Sequence, residues 1–372
     1  MNNTKVPNCK FVFMFPDIAE PTVHELEQGN IPKEILNGYY QLLENGWDVT
    51  ISDARWKGPF AKLRRKIKRF ITLPSLGMFR DWLPADVIVI KDDFSLSLSL
   101  CAKLMGKKLV YLDAMFSFPK RAIRNVLIKL NLLLADRVIC FSRTQAESWS
   151  IKYGVPQSKF SVLRYSIDAE FYQGAVEKHV EDSNKVIAIG RDLGRDFETL
   201  AEAVRDKDIS LYLVTLPYLL PVSVSNIANV HVKQRLNYSE LMDLYQQSVA
   251  SIVPLIGELT YPSGIRAVME AMAVGKPVIA TRTPVLAEYF TEGEEITFVK
   301  AKCTSDMVNA IEILMRSKKL QRKLIDNAHK KLCDEYNVEK YVHDLQRILV
   351  SFTKSEGMVS TASTDEGRNN SR

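Results

Sequence analysis

The sequence is poor in the features that would assign it at once. Its five cysteines are scattered over 372 residues, odd in number and without Cys-x-x-Cys spacing. That argues against a disulfide framework or a zinc site and suits a reducing compartment. No apolar run reaches the ~18 residues needed to span a bilayer; residues 126–134 come closest and are interrupted by Lys129 and Asn131. The opening stretch MNNTKVPNCKFVFMF has polar residues where a secretory signal needs a longer apolar core, so a cytoplasmic location is expected. There is no G-x-G-x-x-G after the first apolar segment and no Walker A loop, which leaves a dehydrogenase or kinase reading without support. Of five histidines, only His24, in the first acidic loop, is a cleft candidate.

What is present is a globular composition, 46% hydrophobic and 25% charged, over a length that suits two domains. Short apolar segments at 10–15, 47–51, 86–90, 108–112 and 137–141 alternate with helical patterns, one of them over 32–44. A polar stretch at 173–184 reads as a linker, after which strand-like segments recur at 185–189, 211–215, 229–233, 250–255 and 278–280. Strands alternating with helices imply an α/β protein with parallel sheets covered on both faces. The expected domains are 1–172 and 185–337, followed by a helix over 338–353 and a disordered Ser/Thr/Gly-rich tail over 354–372.

The stretch 261–281, YPSGIRAVMEAMAVGKPVIAT, carries the most information. Ile265, Val268, Met269 and Met272 form one apolar helical face. Ser263 and Gly264 suit a helix start, and Gly275 and Pro277 a stop before the next strand. The unit is strand, loop, helix, turn, strand, and the helix start is a ready anion site. Glu270 lies one turn after Arg266. The pair reads either as a solvated i,i+4 ion pair or as a carboxylate placed for a ribose diol.

The run Glu270 to Ala280, E-A-M-A-x-G-K-P-V-I-A, resembles the donor-binding segment of GT-B glycosyltransferases of the group 1 (family 4-like) type. The resemblance implies two Rossmann-like, doubly wound domains facing across a cleft. The acceptor is then expected on the N-terminal domain and the nucleotide-sugar donor on the C-terminal one, with the last helix crossing back. It implies that Glu270 binds the nucleotide ribose and that the amides of Ser263, Gly264 and Ile265 contact donor phosphate or sugar. The family's other glutamate falls at Pro262, a departure. GRDLGRDFETLAEAV, from Gly190, resembles the family's diphosphate-gripping turn. Arg191 takes the first cation's place, and Arg195, one position out of register, the second. Two cations at a helix start suit a diphosphate leaving group; surface pairing with Asp192 and Asp196 is the other reading. Tyr238 falls near the expected base. No metal and no cofactor beyond the nucleotide-sugar co-substrate is implied.

Catalytic groups must then come from N-terminal loops. Asp113 is the first candidate and Asp93 the second, as general base for inversion or as an acceptor-orienting group for retention; turn or cap roles are the alternative. From Arg55 to Arg69 eight cations, Arg64, Arg65, Lys66, Lys68 and Arg69 among them, interleave with Phe60, Leu63, Ile67 and Ile71. This basic amphipathic pattern reads as a face for an anionic membrane surface or as a solvated face; no nucleic-acid motif accompanies it. The expected activity is sugar transfer to a carbohydrate or lipid-linked acceptor in polysaccharide or glycolipid assembly, by a protein peripheral on the inner face of the membrane. An inactive GT-B subunit and a sugar-nucleotide epimerase are the alternatives.

Overall fold

A computed structural model describes residues 7–15, 20–53, 76–91, 94–113, 117–173, 184–234 and 236–353. The Asp93 candidate, the basic segment with Arg64, Arg65, Lys66, Lys68 and Arg69, the linker and the tail lie outside them.

Two six-stranded parallel sheets organise the chain. The first contains β1 (Phe11–Phe15), β2 (Val49–Asp53), β3 (Val87–Lys91), β4 (Lys108–Leu112), β5 (Arg137–Cys140) and β6 (Phe160–Val162), in the order β2-β1-β3-β4-β5-β6. The second contains β7 (Lys185–Ile189), β8 (Ser210–Val214), β9 (Val230–Lys233), β10 (Ala250–Val253), β11 (Val278–Thr281) and β12 (Thr297–Val299), in the order β12-β11-β10-β7-β8-β9. The strands are near-continuous apolar runs because helices cover both faces. Alternation at period two sends Val12, Met14, Ile88 and Ile90 into one core and Phe11, Phe13, Phe15, Val87 and Val89 into the other. The second sheet divides in the same way.

The last helix, Val338–Thr353, places Val338, Tyr341, Val342, Leu345 and Leu349 in the core of the first sheet, beside Phe11, Leu36 and Leu42. Each such side chain contributes about 1.5–3 kcal/mol when fully buried. Gly38, at φ 84°, makes this contact possible: a Cβ there would stand 3.0 Å from Leu345. Asn37 and Gly38 both adopt left-handed backbone, so the helical pattern over 32–44 is split into a 3-10 turn, Lys33–Leu36, and a helix, Tyr39–Glu44. A further departure is the helix Glu20–Glu27. Its Pro21 sits in the first turn, where proline costs no hydrogen bond. His24 therefore lies on an exposed helical surface and bonds Gln28 at 2.9 Å.

The two halves meet along a seam of named contacts. Tyr289 donates its hydroxyl to the Phe141 carbonyl and accepts from the Tyr165 amide at 3.0 Å. The Glu288 carboxylate receives the first two amides of the helix Arg143–Tyr153, from Arg143 at 2.9 Å and Thr144 at 2.7 Å. It pairs with Arg164 at 3.2 Å as well. Ile167 and Tyr172, reached before the linker, pack in the core of the second sheet.

Candidate functional site

Strand order identifies the crevice. In the second sheet the chain winds outward from β7 through β8 and β9, then returns to β10 on β7's other side. Ligands in open α/β sheets sit beyond the strands' carboxyl ends at such a switch point. The loops that leave β7 and β10 are the ones carrying Arg191, Arg195, Ser263 and Gly264.

These loops are closed onto each other. Arg195 pairs with Leu255 in an isolated antiparallel bridge; Ile256 donates to the Gly194 carbonyl at 3.0 Å and Asp196 to the Pro254 carbonyl at 3.1 Å. Asp192 is the organiser. Its carboxylate accepts from the Gly194 amide at 2.9 Å, Arg195 Nε at 3.1 Å and the Ser263 hydroxyl at 2.6 Å. The sequence gives Asp192 only a surface pairing; its spacing shows nothing of Ser263, which comes from the other loop.

The Arg195 side chain is 6% exposed. It fills space left by two missing side chains: a Cβ on Gly190 would lie 2.0 Å from Arg195 Nε, and one on Gly264 would lie 3.2 Å from Nη1. Burial pulls its pKa down against the opposing Asp192 charge. Nη1 is buried without a hydrogen-bond partner among the described residues, an expensive state that an anion would relieve. Arg191, by contrast, is exposed and makes no ion pair among the described residues.

Gly264, at φ 81°, starts the helix Ile265–Ala273. Its amide and those of Arg266 and Ala267 have no partner among the described residues. The Ser263 and Ile265 amides are different: they close local turns onto Tyr261 at 2.8 Å and Pro262 at 3.4 Å. The open donors at this helix start are therefore Gly264, Arg266 and Ala267, not the run 263–265. Ser263 contributes through its hydroxyl, and Ile265 is buried in the core.

One turn along, Glu270 is 6% exposed rather than solvated. Arg266 Nε bonds its Oε1 at 2.7 Å, and Arg266 Nη2 reaches the Tyr238 hydroxyl at 2.7 Å. Tyr238 also packs edge-on against Phe171 and Tyr172. The Tyr172 hydroxyl stands 3.3 Å from Glu270 and 3.4 Å from Glu34, one donor between two carboxyls. Glu34, 5% exposed and contributed by the first domain, accepts the Asp168 amide at 3.1 Å and lies 3.9 Å from Arg266. Burial pushes its carboxyl up to about 7, against the lowering pull of Arg266. The sequence does not single out Glu34, which falls in the helical pattern over 32–44 with nothing local to mark its burial.

Across the seam, Asp113 ends β4 at φ 51°, a backbone state that Asp tolerates better than most residues. Its amide bonds the Ile139 carbonyl at 3.1 Å. Burial raises the Tyr341 and Tyr165 hydroxyls, and the Asp113 charge adds to it. Among the described residues no group of three His, Cys, Asp or Glu side chains is arranged to hold a metal, and no helix is long and apolar enough to cross a membrane.

Residues 223–331 match the family model of glycosyl transferases group 1. No curated protein sequence matches the chain. Among solved structures, HepE from Anabaena in complex with UDP and glucose is similar at TM-score 0.67 and 15% identity, over 92% of this chain and 100% of that one. A glycosyltransferase from Rickettsia africae gives 0.69 and 15%, over 94% and 100%. Sucrose-phosphate synthase from Thermosynechococcus elongatus gives 0.68 and 16%, over 93% and 99%. The chain thus has the GT-B fold, and residues 223–331 within its C-terminal half are similar to the group 1 glycosyl transferases.

Proposed function

We propose that this protein transfers a sugar from a nucleoside-diphosphate donor, with the donor seated in the β7–β10 crevice. The observation that carries the reading is the buried, incompletely bonded Arg195 guanidinium beside the open helix start at Gly264, with the Glu270 carboxylate one turn beyond Arg266. Diphosphate on Arg195 and the amides of Gly264, Arg266 and Ala267 would gain the charge-assisted bonds those groups lack. These donors stabilise the charge that grows on the leaving diphosphate as the glycosidic bond breaks, so no metal is required. Exposed Arg191 adds a mobile counter-charge. Glu270 receives the ribose hydroxyls on the oxygen that Arg266 and Tyr172 leave open, and Tyr238 lies beside it.

Asp113 takes the acceptor side. For inversion it removes the acceptor hydroxyl's proton; for retention it orients that hydroxyl. The basic segment 55–69 suits an acceptor at an anionic lipid surface, hence a peripheral protein building a polysaccharide or glycolipid. Support for the donor class includes the complexes of similar folds: HepE with UDP-glucose and a starch synthase domain with ADP.

A second reading, a subunit that binds nucleotide without transfer, is favoured by Pro262 at the family's glutamate position and by the Arg266 clamp on Glu270. A panel of nucleoside diphosphates and nucleotide sugars, read by thermal shift and by release of diphosphate product, separates the two. A ligand at ~100 times its dissociation constant stabilises by about 2.7 kcal/mol. Shift with turnover supports transfer, shift without turnover the binding subunit, and no shift with any nucleotide contradicts both.

A further inference from the structure

The helix Ala122–Leu134 carries an outward face that the proposed donor and acceptor chemistry does not use. Its inner face is anchored. Ile128 and Leu132 enter the core, and buried Asn131 accepts from the Ser99 hydroxyl at 2.6 Å and from Tyr111 at 3.0 Å. At the first turn Asn125 bonds the Pro119 carbonyl at 2.8 Å and accepts from the Tyr153 hydroxyl at 2.9 Å. Lys159 holds the carbonyls of Leu133 and Ala135 at the far end. The helix cannot roll to hide its other side.

That other side is apolar. Ile123 is 71% exposed, Val126 57%, Leu130 40% and Leu133 47%. At about 100° per residue these four fall within roughly a quarter of the helix circumference, opposite the buried face. A continuous stripe of large aliphatic side chains in water marks an interaction surface rather than scattered exposure. The neighbouring helix Leu96–Leu104, packed against it through Ser99, leaves Leu100 and Leu104 exposed as well.

Charge selects the partner. Between Asp113 and Asp136 the chain has four cations, Lys120, Arg121, Arg124 and Lys129, and no anion. Three of them cluster at the helix start, where the dipole adds positive potential. An aliphatic stripe fringed by Lys and Arg complements an anionic bilayer surface, with the aliphatic groups entering the headgroup boundary. The cationic end is continuous with the loop leaving β4, which begins at Asp113 at the carboxyl edge of the first sheet.

We propose that the helix Ala122–Leu134 is the face by which this protein sits on an anionic lipid bilayer, with its basic end bringing the acceptor cleft to the headgroups. The inference rests on the membrane-facing part of the proposed function and moves the contact to a different element from residues 55–69.

The test is co-sedimentation of the full chain with phosphatidylcholine vesicles, with and without phosphatidylglycerol. One variant combines Ile123→Gln, Val126→Gln, Leu130→Gln and Leu133→Gln; a second combines Arg121→Gln, Arg124→Gln and Lys129→Gln. A third neutralises Arg64, Arg65, Lys66, Lys68 and Arg69. Unchanged melting temperature and nucleotide-induced shift establish that each variant is folded with an intact donor crevice. The wild type is expected to bind the anionic vesicles in a salt-sensitive way, and each helix variant to bind about tenfold more weakly or worse. Wild-type binding that survives the fourfold glutamine variant overturns the assignment. If the third variant alone abolishes binding, the membrane reading stands and this helix is not the contact. Absence of wild-type binding overturns both, as does a dimer dispersed by the glutamine variant in place of vesicle binding.

Discussion

The donor crevice and the domain seam are built from the same residue types by different means. In the crevice the decisive partners are near in sequence: Arg195 with Asp192, and Arg266 with Glu270, three and four residues apart. At the seam Tyr172 meets Glu270 across 98 positions, Tyr165 meets Tyr289 across 124, and Thr144 meets Glu288 across 144. Local pairing prepares the crevice before any ligand arrives, whereas the seam exists only when both domains are folded and docked. Glu270 belongs to both, so under the proposed function donor binding and domain contact share one carboxylate.

The largest expected effect breaks the seam by pH. Glu34 has its folded pKa raised from 4.5 to about 7 by burial. The folded state therefore holds the proton more tightly than the unfolded chain. That contribution is fully present below about pH 4.5 and is lost as pH rises through about 7. Chemical denaturation should show a slope between those limits of up to about 3 kcal/mol in total, absent in Glu34→Gln. Equal slopes in the two proteins would remove Glu34 from the account of the seam.

Next, Gly190→Ala attacks the crevice through packing alone. Its Cβ would meet Arg195 at 2.0 Å, so stability should fall by about 1–3 kcal/mol, together with loss of nucleotide binding. Normal nucleotide affinity with unchanged unfolding would show that the cradle around Arg195 is slack. Glu270→Gln tests the shared residue: donor affinity should drop about tenfold or more, since a hydrogen bond to a charged group is worth about 1.5–3 kcal/mol, while ribonucleoside and 2′-deoxyribonucleoside diphosphates of the same base should become harder to tell apart. The smallest effect is expected of Glu288→Ala. Burial opposes ionisation of Glu288, but the Thr144 and Arg143 donors and Arg164 hold its pKa low. Losing this cap should cost about 1 kcal/mol in denaturation and leave nucleotide affinity unchanged.

The same contrast explains what could be read from the sequence. The longer strands of both sheets were legible because buried parallel strands are apolar runs bounded by turns, as at 86–90 and 108–112, whereas the three-residue β12 was not. The Glu270 helix was legible because its apolar spacing and its Gly and Pro stops are local. The helix Lys318–Glu335 was not, since its buried Leu324, Ala328 and Leu332 are diluted by lysines and arginines. Glu34 was hidden for another reason: its burial is imposed by Asp168, Tyr172 and Arg266, residues more than 130 positions away. Asp192 was recognised as a partner for arginine, but its hold on Ser263 depends on two loops meeting at the switch point.

The most direct measurement is calorimetric titration of the best nucleoside diphosphate into the wild type and into Arg195→Ala. With the diphosphate on the buried guanidinium, the variant should bind about a hundredfold more weakly while keeping the wild-type circular dichroism. Equal affinity in the two proteins would contradict a donor site in the β7–β10 crevice.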